Sequence, residues 1–210
     1  KGFTLLELIV VISLVAIVSA VGFPNFMDWR QDRLVRVSME DAASLLKSAN
    51  TLNQRGNYPY VQFKVSPDGK GIIFSTNALK LNTYSQRKRG NLMGKFNNIE
   101  CNTKASDYWD LNGIDEKSNS NTVTHLSGED GVCFANDASK YDGMNNINTT
   151  IEGQLSDQYL IICYNKDTKG NDRSNCPLTF GKKEKAYLIQ WTRFGTISKF
   201  KWARTNWNRL

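Results

Sequence analysis

The sequence predicts an α+β chain in which one long N-terminal helix packs on an antiparallel sheet. Three observations carry that expectation. Leu8 to Phe23 is an uncharged, predominantly apolar run of sixteen residues. Beyond it, Val35, Met39, Ala42, Leu46 and Ala49 recur at spacings of four, three, four and three, the stripe of an amphipathic helix. From residue 57 onward the chain changes to short alternating runs separated by polar, glycine-containing stretches, which read as strands and loops.

The helix comes first. Residues 3–54 as one helix would be roughly 75–80 Å long at 1.5 Å per residue, more than one domain can cover. The chain therefore divides into an apolar part, 3–27, suited to a membrane or a filament core, and an amphipathic part, 28–56, that stops near Arg55-Gly56-Asn57. The apolar part runs into the charged part without a break. Nothing at Ser19-Ala20-Val21 forces cleavage, unlike a secretory signal. Gly22 and Pro24 predict a kink or a locally melted stretch. Melting suits a protein assembly better than lipid, where freed backbone groups find no water.

Residues 57–210 form the head. Tyr60–Val65 alternates, Pro67-Asp68-Gly69 turns and Gly71–Phe74 returns, which is a hairpin. Further strands are expected at Tyr159–Cys163, Ala186–Trp191 and Thr196–Trp202, the last two separated at Phe194-Gly195. The apolar stripe of residues 35–52 is expected to pack on this sheet. Residues 76–158, rich in Asn, Asp, Ser and Gly, read as a large loop insertion.

Charge is unevenly placed. The chain carries a formal net charge of +7. Residues 182–210 hold eight cations against Glu184, a net of +7, whereas residues 107–157 hold ten carboxylates against Lys117 and Lys140, a net of −8. The tail Lys199, Lys201, Trp202, Arg204, Trp207 and Arg209 interleaves cations with two indoles. Such a pattern can contact DNA through phosphates and stacking, or an acidic loop of a neighbouring copy. It can also be a strand whose cations block edge pairing and whose Trp pack on the sheet.

The four cysteines, Cys101, Cys133, Cys163 and Cys176, form no CxxC pair. An even, dispersed set favours two disulfides, and of three pairings Cys101–Cys133 with Cys163–Cys176 links near neighbours. The single histidine, His125, lies in a polar stretch, and no GxSxG, HExxH or phosphate-loop pattern occurs. No enzyme and no cofactor is expected. Asp110, Asn112, Asp115 and Glu116 form an oxygen-rich cluster that could hold calcium, although it departs from EF-hand spacing and reads equally as a turn.

Glu7 is the anomaly, a carboxylate at the edge of an apolar run where burial costs several kcal/mol unless it is paired. Lys1-Gly2-Phe3-Thr4-Leu5-Leu6-Glu7-Leu8 resembles the processing motif of type IV pilins and type II secretion pseudopilins, and Pro24 matches a proline found in many pilins. The resemblance covers residues 1–54. It implies that Lys1-Gly2 ends a leader, that a prepilin peptidase cuts after Gly2, and that Phe3 becomes an N-methylated terminus. It also implies the type IV pilin fold.

In that family the glutamate at position 7 meets the terminal amine of a neighbouring subunit. Pairing offsets two desolvation penalties and so sets register. The order of helix, hairpin and late strands resembles the GspH/FimT type of minor pilins and pseudopilins. The partners implied are other copies or other pilins in a helical filament, the inner membrane before assembly, the peptidase, an assembly platform protein and, through the tail, DNA. The chain is expected in the inner membrane first, then in an extracellular pilus serving adhesion, motility or uptake. The alternatives are a periplasmic secretion pseudopilus or a DNA-binding minor pilin of a competence system.

Overall fold

The computed structural model describes residues 2, 4–69, 71–92, 109–126, 131–135, 159–192 and 195–210. Helix α1 spans Leu5–Gln54. It starts at a capping box, in which Glu7 N–H donates to Thr4 Oγ1 at 3.2 Å and Thr4 N–H donates to Glu7 Oε2 at 3.3 Å. The chain leaves the helix through Gly56 at φ +77°, a left-handed turn that glycine adopts without Cβ strain. The helix is continuous across Gly22 and Pro24, so the melted alternative of the expectation is not what the fold contains.

The strands follow as β1 Tyr60–Asp68, β2 Gly71–Leu79, β3 Leu111–Ser120, β4 Thr122–Leu126, β5 Gly131–Ala135, β6 Tyr159–Tyr164, β7 Ala186–Trp191, β8 Ile197–Ala203 and β9 Asn206–Arg209, with α2 at Leu81–Leu92. They form two antiparallel sheets, ordered β3-β2-β1-β5 and β4-β6-β7-β8-β9. β3 and β4 are consecutive in the chain but belong to different sheets. Asn121, at φ +61°, makes the corner.

Every position of the amphipathic stripe is buried: Val35, Met39, Ala42, Leu46 and Ala49. They share one core with Phe63, Phe74 and Phe134 of the first sheet and with Leu160, Ile162, Tyr187, Ile189 and Trp191 of the second. α1 therefore rests on both sheets. The alternate residues of the second sheet, among them Tyr159, Ile161 and Leu188, face the other way. They are buried in a further cluster with Phe180 and Trp207. That double burial explains why β6 reads as a continuous apolar run in sequence.

The expected loop insertion at 76–158 is corrected in its described part. β2 runs on to Leu79, and α2, β3, β4 and β5 follow. β3 is nearly all polar and mostly exposed. Its residues pair because it is a sheet edge that needs no apolar face, which is why the sequence pattern hid it. The expected turn at Pro67-Asp68-Gly69 starts later: Pro67 and Asp68 pair with Ile72 and Gly71 inside β1, and Gly69 takes φ +52°.

Candidate functional site

Two parts of the molecule bear on function, the half of α1 that leaves the head and the strands that grip the other half. The first begins at Thr4. The box with Glu7 satisfies two amides that a helix start leaves free, and Thr4-x-x-Glu7 is its sequence signature. The spacing Thr4-x-x-Glu7 signals this local role, which the pairing expected between Glu7 and a neighbour's amine does not include. Beyond Glu7 the apolar side chains are open. Leu5 is 77% exposed, and even Val10 is 48% exposed. Among the described residues no helix is long and apolar enough to cross a membrane. The side chains of residues 21–25, Pro24 included, are not described.

The second half of α1 is held by ions. Lys201 Nζ donates to Asp32 Oδ2 at 2.8 Å, and the Tyr187 hydroxyl donates to Asp32 Oδ1 at 3.1 Å. Lys199 pairs with Glu40, and Lys185 lies 3.8 Å from Asp28. Burial works against the Lys201 ammonium, yet the Asp32 carboxylate and the Tyr187 hydroxyl outweigh it and hold its pKa above the ordinary lysine value. Burial pushes the Tyr187 phenol up. Ser38 Oγ also meets Thr122 Oγ1 at 3.3 Å in the core.

Of the readings of the tail, the strand that packs its indoles on the sheet is the one this fold contains. The tail forms β8 and the edge strand β9 of the second sheet. Lys199 and Lys201 turn onto the chain's own helix. Trp202 and Trp207 pair across β8 and β9 with ring centroids 5.4 Å apart, and both rings lie 5.7 Å from that of Phe180. Trp207 is buried, so its face is spent on packing. Arg204, at φ +64°, and Arg209 remain exposed.

The calcium reading is also corrected. Leu111–Ser120 is strand β3, so adjacent Asp115 and Glu116 project to opposite faces. Asp110 Oδ2 accepts from the Lys80 amide at 2.9 Å, and Asp115 exchanges bonds with Thr76. Asn112 lies in the irregular stretch between the Thr76–Asp115 and Ala78–Leu111 pairs, where Gly113 N–H donates to Asn77. Among the described residues no group of three or more His, Cys, Asp or Glu could hold a metal.

Cys163 and Cys176 form a disulfide with Cα atoms 5.8 Å apart, the pairing that spacing suggested. Cys133 is disulfide-bonded and buried, and Cys101 lies outside the described residues. So do Lys1 and Phe3, and most of the acidic segment 107–157. Gly2 is described, with open space around it. His125 stacks on Tyr159 with centroids 6.4 Å apart, and burial pushes its pKa down, so it is neutral at neutral pH.

One comparison bears on the projecting helix. Residues 1–23 match the family model described as the prokaryotic N-terminal methylation motif. The chain carries the class III signal of type IV pilins and pseudopilins. No curated protein and no solved structure matches it. The match covers the capping box and most of the exposed apolar half of α1. The α+β architecture that follows, a long helix laid on antiparallel sheets, is consistent with the pilin fold.

Proposed function

We propose that this chain is a structural subunit of a type IV pilus or pilus-like filament, anchored in the inner membrane before assembly and joined to its neighbours through α1. The observation that carries this reading is the division of one unbroken helix. Its second half is locked to the head by a buried stripe and three ion pairs, while its first half presents bare apolar side chains. Such a surface demands other helices or lipid around it. Glu7, four residues beyond the expected new terminus at Phe3, is the residue that meets a neighbour's amine. On joining a filament it exchanges its local bonds with Thr4 for a charged partner, and a bond between two opposite charges is stronger than either bond from a neutral Thr4 donor.

Glu7→Ala tests this. The precursor should still be cut after Gly2 and stay membrane-bound, but its share of sheared filaments should fall at least about tenfold, since a lost pairing of about 1.4 kcal/mol is already tenfold. Equal incorporation of variant and wild type would remove the role assigned to Glu7. A bulky residue at Gly2 should do the reverse and leave an uncut, heavier precursor. In the tail, subunit contact narrows to the exposed Arg204 and Arg209, since Lys199 and Lys201 are occupied within the chain.

A further inference from the structure

Between the bare apolar half of α1 and its buried half lies a short outward-facing stripe. Phe26, Trp29, Arg30, Arg33 and Val37 recur at helical spacing and are all exposed, Phe26 at 54% and Trp29 at 55%. They are organised among themselves. The Phe26 and Trp29 rings lie 5.8 Å apart, and the Arg33 guanidinium sits 5.6 Å from the Trp29 centroid. Beside them an open groove of about 330 Å³ is lined by Trp29, Arg33, Arg36, Val37 and the acidic Asp32, Glu40 and Asp41.

We infer that this stripe is a binding site for anionic phospholipid headgroups, with Arg30, Arg33 and Arg36 taking the phosphates and Trp29 seated at the membrane–water boundary. The inference rests on the membrane-anchored stage proposed above. Four observations favour lipid over other occupants.

The first is position. Glu7 and Asp28 bracket twenty consecutive uncharged residues, about 30 Å of helix, which is the thickness of a hydrocarbon core. Phe26 to Arg36 therefore emerges where headgroups lie. The second is direction. Helical side chains tilt toward the helix N-terminus, so the arginines lean back toward the bilayer, and their long stems reach the headgroup layer from two or three turns above it.

The third is charge. Three acidic residues of this segment that would otherwise cancel the arginines are taken up by lysines of the head. Asp28, Asp32 and Glu40 pair with Lys185, Lys201 and Lys199 of the head. Among the described residues no ion pair engages Arg30, Arg33 or Arg36. Of the three carboxylates that line the groove, Asp41 is the one with no lysine partner among the described residues. The fourth is chemistry. Arginine forks match phosphate oxygens in pairs, and indole with guanidinium is the combination that tolerates a half-wet, half-apolar boundary.

The experiment reconstitutes the full chain in phosphatidylcholine vesicles with and without phosphatidylglycerol. Electron spin resonance then compares spin-labelled forms of the two lipids for immobilisation beside the protein. The expected result at low salt is an enrichment of labelled phosphatidylglycerol of about fivefold or more over labelled phosphatidylcholine. It should fall to parity in the R30Q/R33Q/R36Q variant and in 1 M salt, where screening shortens to about 3 Å. Lys47→Gln, an exposed cation about 16 Å further along the same helix, should leave it unchanged. Unchanged urea unfolding of the triple variant shows that its head is intact.

Parity in the wild type, or enrichment that survives the triple substitution, overturns the inference. Parity combined with loss of the triple variant from filaments would assign the stripe to a neighbouring copy instead. A chain that washes out of both vesicle types removes the membrane-anchored stage, and this site with it. Retention at parity removes the site alone.

Discussion

Replacing Leu46 by alanine should loosen the whole head, while replacing Val37 by alanine on the same helix should do almost nothing. Leu46 is 1% exposed and lies in the core shared by both sheets. Val37 is 47% exposed and faces away from it. Truncating a buried leucine removes its transfer energy and leaves a cavity that neighbours from two sheets and a helix cannot easily fill, a cost of about 3 kcal/mol. With a urea slope of about 2 kcal/mol per molar, the unfolding midpoint of a head starting at Asp28 should drop by about 1.5 M. Val37→Ala loses little burial and gains helix propensity, so its midpoint should move by less than about 0.25 M. Trp191, buried in the same core, makes tryptophan fluorescence the natural probe. Equal shifts for the two variants would refute the face of α1 described here, and with it the separation between the head-facing and outward-facing sides.

Gly195 holds φ +79°, and a Cβ there would meet Asn50 Nδ2 at 1.8 Å; Gly195→Ala should cost about 2 kcal/mol or more in the same unfolding assay, and a neutral result would contradict the close approach of the β7–β8 turn to α1. The Cys163–Cys176 bridge closes a separation of 13 residues, so the double serine variant should lose about 3 kcal/mol, and a loss below about 0.5 kcal/mol would count against a stabilising bridge. Lys201 and Tyr187 both have raised pKa values in the fold, so their contribution is complete below the unfolded values near pH 10 and is lost as pH rises through the folded values. Stability should therefore fall above about pH 10, and less steeply in Asp32→Asn; identical alkaline profiles would remove the Asp32–Lys201 pair as the cause. His125 acts at the other end. Its depressed pKa means that stability is complete above about pH 6.5 and declines as pH falls below it, a slope that His125→Gln should flatten.

How much of this was written in the residues depended on whether burial had a period. The stripe from Val35 to Ala49 places every named position correctly, because one face of a helix sees the core at each turn. β6, β7 and β8 were legible for the opposite reason, as short apolar or alternating runs bounded by turn residues. β3 was not, because an exposed polar edge leaves no hydrophobic trace, and α2, with Asn82, Ser85, Gln86 and Asn91 among its residues, reads as loop. The functional motif at Lys1–Leu8 was the plainest signal in the chain, yet the local meaning of Thr4 and Glu7 was overlooked within it. The partners of the tail could not be read at all. Lys199 and Glu40 are 159 residues apart, and only the finished fold turns Lys199 inward while leaving Arg209 outside.

The placement of α1 across both sheets has a mechanical meaning. Each strand bonds within one sheet alone, so the helix, whose stripe shares a core with both, ties the two halves together alongside the β2–β4 contact and the corner at Asn121. Tension on a subunit anchored by its N-terminus would run along the helix axis and load the buried stripe and the three lysine clasps at once, in shear, and not peel strands away one at a time. The same geometry makes the helix the steering column of the head. A rotation imposed on the anchored half by its surroundings is delivered to both sheets together, so whatever the outer face of the head presents turns with the anchor.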